Sequence, residues 1–174
     1  MKKRRIIWGG ILQGVILTFL FTSDLQAQYT TAIGTRTGGT SGVTARYIYE
    51  PGRAVEGILG SFGNGFSLTG LIEKYEPIYY VKGLYVYHGG GLHVAVYDNS
   101  SLYHYYGPLG REVNHAKNNS VGFGINLIAG VEYRMPRNIP LAFTVDLKPF
   151  LEIGSVGRIS VAPDPSIGVK FIIR

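Results

Sequence analysis

GLYVYHGGGLHVAVY, residues 83–97, keeps a two-residue period longer than any other stretch of the chain. Leu84, Val86, Leu92, Val94 and Val96 fall on one face. Tyr85, Tyr87, Gly89, Gly91, His93, Ala95 and Tyr97 fall on the other. Successive side chains of a strand point to opposite sides, so this is the pattern of one long β-strand. Its first face is aliphatic and must meet something apolar. Its second mixes tyrosines, a histidine and glycines, which suits a confined polar space.

The same period recurs on both sides of this strand, in runs of about ten residues separated by turn chemistry. Tyr29 to Gly38 sets Tyr29, Thr31 and Ile33 against Thr30, Ala32, Gly34 and Arg36, and GGTSG turns the chain. Val43 to Glu50 sets Val43, Ala45, Tyr47 and Tyr49 against Thr44, Arg46 and Glu50, before a Pro51-Gly52 turn of type II character. Arg53 to Phe62 opposes Val55 and Leu59 to Glu56, and Gly63-Asn64-Gly65 gives a strong hairpin signal. Phe66 to Tyr75 opposes Phe66, Leu68 and Ile72 to Ser67, Thr69 and Glu73.

Beyond residue 97 the pattern pauses: 99–120 is the longest non-periodic stretch, polar yet rich in Tyr and His. Loops of that length are uncommon unless they are functional or disordered. Val121 to Arg134 then shows Ile125, Leu127, Ala129, Val131 and Tyr133 against Gly124, Asn126, Gly130, Glu132 and Arg134. Ile139 to Glu152 shows Leu141, Phe143, Val145, Leu147 and Leu151 against Thr144, Asp146, Lys148 and Glu152. After a loop with Gly154, Gly157, Pro163 and Pro165, the last strand puts Ile167, Val169, Phe171 and Ile173 on one side and Gly168, Lys170 and Arg174 on the other. The expectation is an all-β chain of eight antiparallel strands.

The amino terminus has different chemistry. Met1 to Arg5 is basic, Ile6 to Phe21 is apolar, and Leu25-Gln26-Ala27 is a small-residue cleavage site, the pattern of a secretory signal over 1–27. Gly9, Gly10, Gln13 and Gly14 interrupt the apolar run, which argues against a retained membrane helix. Without this leader the formal charge of +6 falls to +3, so the basic balance is no nucleic-acid footprint. The remaining 28–174 has the length of one domain. No cysteine is present, so neither a lipid-anchored amino terminus nor disulfide stapling is expected. Thirteen Tyr and 25 Gly with few charges suit a barrel with aromatic belts better than a soluble domain.

Across the runs one face collects aliphatics and aromatics. The other collects Arg36, Arg46, Glu56, Glu73, Glu132, Arg134, Asp146, Lys148, Lys170 and Arg174. A soluble barrel would carry its apolar residues inside and its charges in water. Here lipid outside and charge inside is expected: an up-and-down transmembrane barrel whose closure leaves no sheet edge in lipid. The Pro51, Pro77 and Pro136 connections fall on one rim and the 99–120 loop on the other. Two aromatic belts are expected, Tyr47, Tyr49, Tyr75, Tyr79, Tyr80 and Tyr133 at the first rim and Phe62, Phe66, Tyr97, Tyr103 and Phe123 at the second.

TAIGTRTGGTSGVTARY, VEGILGSF, GFSLTGLIEKY, GLYVYHGGGLHVAVY, GVEYRMPRNIPLAFTVDLKPF and a closing strand ending VKFIIR together resemble the small outer-membrane β-barrel proteins of Bacteroidetes-type bacteria. The resemblance covers the whole of 28–174. It implies an eight-stranded barrel of the OmpA/OmpX type, mostly without an assigned activity, located in the outer membrane. The partners so implied are outer-membrane lipid and the barrel-insertion machinery. Such barrels commonly end on an aromatic residue, whereas this chain ends Phe171-Ile172-Ile173-Arg174.

An eight-stranded interior is only wide enough for side chains, so the inner charges are expected to pair across the lumen and close it. That favours a non-enzymatic barrel whose 99–120 loop meets extracellular partners. Two alternatives are a narrow channel for ions or small solutes and a lipid-modifying barrel enzyme. Catalytic roles for Glu56, Glu73, Glu132 and Asp146 are disfavoured by their basic neighbours. Gly89-Gly90-Gly91 has no following GK[ST] or helix start and reads as room for bulky neighbours rather than a phosphate cradle. His88 and His93 point to opposite faces, and no Cys or carboxylate set accompanies His104 and His115, so no metal site is expected. His88 has Gly90, not Ser, two positions on, which leaves nucleophilic catalysis without local support. No cofactor is expected.

Overall fold

The computed structural model describes residues 30–62, 65–97, 120–136, 138–154 and 159–173. The leader over 1–27, Tyr29, Gly63-Asn64, Tyr103, His104, His115 and Arg174 lie outside the described residues, as does nearly all of 99–120. The strands are β1 (Thr31–Gly38), β2 (Ser41–Glu50), β3 (Arg53–Phe62), β4 (Gly65–Pro77), β5 (Leu84–Tyr97), β6 (Ser120–Arg134), β7 (Leu141–Leu147), β8 (Phe150–Gly154), β9 (Ile159–Ala162) and β10 (Pro165–Ile173). No helix occurs among the described residues.

From β1 to β7 each strand pairs antiparallel with the next in sequence, β7 pairs with β10 and β10 with β1, so the sheet closes on itself. Both β7 and β8 pair with β6, and β9 and β10 continue one another on the far side, which makes eight barrel strands out of ten segments. The two breaks have one cause. Pro149 interrupts the seventh barrel strand and Pro163 the eighth, and neither can donate to the ladder. Sequence periodicity placed a single strand over Ile139 to Glu152 and a loop from Gly154 to Pro165. Instead β9 extends the barrel wall within that loop. Asp164, the only non-glycine residue with positive φ (38°) among those described, turns the chain between β9 and β10.

Following paired residues round the wall fixes the barrel's shape. Tyr133 pairs Phe143, then Val169, Thr35, Val43, Leu59, Leu68, Val94 and finally Phe123, back on β6. The circuit returns ten residues from where it began. With about 3.3 Å per residue and about 4.8 Å between strands, that stagger tilts the strands about 40° from the axis.

All but one of the residues on that circuit are apolar, and the wall's outer face is apolar almost throughout. Leu59, Leu68, Leu92, Ile125, Leu127, Val145, Ile153 and Ile167 are all more than half exposed. The inner face carries Arg36, Arg46, Glu56, Glu73, Glu132, Lys148 and Lys170, each no more than 5% exposed. A small apolar cluster, including Ala32, Ala54, Ile58, Leu71, Ile128 and Ile172, fills the space between the inner charges.

Three residues expected in the aromatic belts face inward. Tyr75 and Phe62 are buried, and Tyr97 packs edge-on against Phe62 at 5.3 Å. Alternation requires this, since Tyr75 shares its face with Glu73, Phe62 with Glu56, and Tyr97 with His93. Parity, not nearness to a strand end, decides which side an aromatic faces. Glu50, expected inside, is outside and pairs with Arg53 at 3.5 Å, because the register shifts between Ile48 and Glu50. The Pro51-Gly52 turn is as expected, with Gly52 at φ 79° where a type II turn demands it.

Candidate functional site: the charged lumen

Beginning at the Pro51 rim, the first layer of the lumen is built around Arg46. Its guanidinium meets Glu56, Glu73 and Glu132, the Glu73 contact being 3.1 Å from Nε to Oε2. Arg134 Nε donates to Glu132 Oε1 at 2.7 Å, and Lys170 Nζ donates to Glu56 Oε2 at 2.7 Å. Three cations therefore face three carboxylates, and the layer is neutral as a whole. Neutral donors add to the network: Thr44 donates to Glu56, and the Tyr75 hydroxyl to Glu73 Oε2 at 2.8 Å.

Aromatic rings hold these cations in place. The Arg46 guanidinium lies 5.0 Å from the Tyr75 ring centre and 5.2 Å from that of Tyr87, and the two rings stack at 5.1 Å. Arg134 sits 3.7 Å from the Tyr85 ring centre. Tyr87 has room because Gly130 lies against it: a Cβ there would come within 2.8 Å of the ring and 2.7 Å of Asp146. Large inner side chains opposite glycine on the neighbouring strand are how so narrow a cylinder is filled.

A second layer joins Arg36 to Asp146 at 3.0 Å. The Ser166 hydroxyl accepts from Arg36 at 2.6 Å and donates to Asp146 at 2.8 Å, and the Tyr87 hydroxyl donates to the other Asp146 oxygen at 2.9 Å. Tyr87 thus links the layers, with its ring on Arg46 and its hydroxyl on Asp146. The third layer, nearest the opposite rim, contains Lys148 on Asp164 at 2.7 Å and His93 Nε2 on Glu152 at 3.0 Å. Tyr97 also donates to Glu152, and the Asn126 amide lies 2.9 Å from His93 Nδ1. Thr40, Ser67, His93, Tyr97, Lys148 and Glu152 border a cavity of about 20 Å³ measured to water centres, room for one or two waters.

Of the ten inner charges that alternation picked out, nine are described, and all nine line the lumen in ion pairs. Three further groups belong with them. Glu152 and His93 share the inner face by parity, and Asp164 lies in the turn between β9 and β10. Parity would have found the first two, while Asp164 depends on a backbone kink that no local pattern announces.

At the centre of the first layer the Arg46, Glu73 and Glu132 side chains have no exposed surface. No group of three or more His, Cys, Asp or Glu able to hold a metal occurs among the described residues. No protein-family model matches the chain, and no curated protein is similar to it.

Proposed function

We infer that the chain is an integral outer-membrane barrel protein, non-enzymatic, with a lumen plugged by its own ion pairs. The observation that carries this reading is the outer face of β6. It runs Phe123, Ile125, Leu127, Ala129, Val131, Tyr133, apolar throughout and aromatic at both ends. Ten residues at the tilt derived above rise about 25 Å along the axis, the height of the apolar band of a bacterial outer-membrane barrel. A water-soluble protein has no use for such a surface next to a core of buried charge.

The rest of the reading follows from chemistry and from the resemblance to small barrels of Bacteroidetes-type bacteria. The 1–27 leader carries the chain across the inner membrane and is removed, and insertion machinery delivers the barrel to the outer membrane. The 99–120 segment, joining β5 to β6 at the rim opposite Pro51, is the surface offered to extracellular partners. The test is fractionation and gel mobility. The protein is expected in the outer-membrane fraction, with a mobility in SDS that shifts only after boiling; recovery in the soluble periplasm would reject the reading. The fully buried centre of the first layer weighs against the channel alternative, so planar bilayers containing the protein are expected to show no conductance.

A further inference from the structure

Among the described residues outward charges are few, and those on the strands that are cationic or basic gather on one stretch of wall. Arg53 on β3 is the direct cross-strand neighbour of Lys74 on β4, and Lys74 of His88 on β5. All three side chains point outward and are exposed. We propose that this row binds the phosphate of an anionic glycerophospholipid in the leaflet at the Pro51 rim. This deepens the membrane reading above and rests on it.

The row is not a level collar. Because the strands are staggered, each step from β3 to β5 climbs about 3 Å along the axis, and His88 stands roughly 7 Å further from the rim than Tyr133. On the opposite wall Phe143, Phe171 and Ile173 keep the outer face apolar down to that rim. The hydrocarbon boundary is therefore higher on the β3–β4 side, where Glu50 and Glu76 take the rimward positions, while on β5 Val86 keeps the outer face apolar rimward of His88. Arg53 and Lys74 each already have one carboxylate, Glu50 and Glu76, so what a bilayer adds at that height is a further acceptor, and the anion it supplies is a headgroup phosphate.

The carboxylates nearby are placed so as not to block it. Glu50, 3.5 Å from Arg53, and Glu76, 2.8 Å from Lys74, lie on the rim side of their cations, toward water. Both are exposed pairs of the kind that contributes little and leaves donors to spare. Lysine has three donors, arginine five, and His88 has at least one ring N–H in either charge state. Further up the wall Gly57 and Gly70 face each other with nothing within 4 Å of where a side chain would begin, so an acyl chain reaching up from the phosphate lies against bare backbone.

Native mass spectrometry of the full chain, released from neutral detergent with phosphatidylglycerol added, tests this. Wild type is expected to retain the lipid. The triple variant Arg53→Gln, Lys74→Gln, His88→Gln is expected to bind it more weakly, by roughly fivefold for each lost Lys or Arg. Retention of phosphatidylglycerol by the variant as tightly as by wild type overturns the proposal. If the triple variant does not fold, Lys74→Glu alone must weaken binding and Arg53→Lys must preserve it, and the reverse result is equally fatal. A wild-type protein that fails to enter vesicles sinks the membrane reading itself, whereas one that enters them with lipid retention indifferent to these substitutions sinks only the phosphate site.

Discussion

Arg46 shows how much a single inner position decides. It has no exposed side-chain surface and touches three carboxylates from three other strands. Replacing it with Ala leaves those carboxylates buried without their shared cation, and removing one partner of a buried pair costs about 3–5 kcal/mol. Arg46→Ala is therefore expected to lower the temperature of the gel-mobility shift markedly. Arg46→Lys, which keeps the charge but not the fork, should fall between. Gly130→Leu should be worse than either, because its side chain would press on the Tyr87 ring, Asp146 and the Val145 carbonyl at once. At this scale the sequence is legible as a parity code: once one inner residue is known, every second neighbour follows. Tyr75, Phe62 and Tyr97 show that the code overrides residue type, since an aromatic near a strand end belongs to the lumen when its position is odd with respect to the oily face. The partner of each charge was not legible. Arg36 and Asp146 are 110 positions apart and Lys170 and Glu56 are 114 apart, and only the register of the closed sheet brings them together.

Among the elements, β9 differs from the rest. It has one neighbour, β8, whereas β2 to β5 each have a strand on both sides. Protection of backbone amides from exchange follows the number of ladder bonds and the packing around them. Deuterium uptake is thus expected to be faster over Ile159–Ala162 than over β3 or β4, with the boundary at Pro163. Equal protection on both sides of that proline would mean that β9 gains a second neighbour in solution. The sequence hid β9 because it is only four residues long and lies between prolines and glycines, where turn chemistry outweighs a brief alternation. The long strands were plain for the opposite reason: β5 and β6 carry 14 and 15 residues of unbroken period, too many for chance.

For the whole molecule the decisive property is which side faces which medium. Because the chain has no cysteine, single cysteines can report on it without interference. Cysteines placed in turn at Ile125, Leu127 and Val131 are expected to react with a lipid-soluble maleimide in vesicles and to resist a charged one. A cysteine at Asn126 should resist both, since that position is buried in the lumen. Labelling of the outer positions by the charged reagent alone would place water, not acyl chains, against the wall. Fold class and strand number could be read at this scale because period, turn spacing and charge segregation all agree. The stagger of ten residues could not, because it is a property of closure and has no local signature.

That same arrangement of oil outside and ions within reverses the usual reason for a chain to collapse. In an aqueous compartment, rolling this sheet shut would strip hydration from a dozen ionic groups and still leave its greasy side wet, so nothing draws the last strand back to the first. On the membrane reading proposed above, the ribbon travels unrolled, shielded by an escort, and its cylinder becomes the favourable state where hydrocarbon is the solvent.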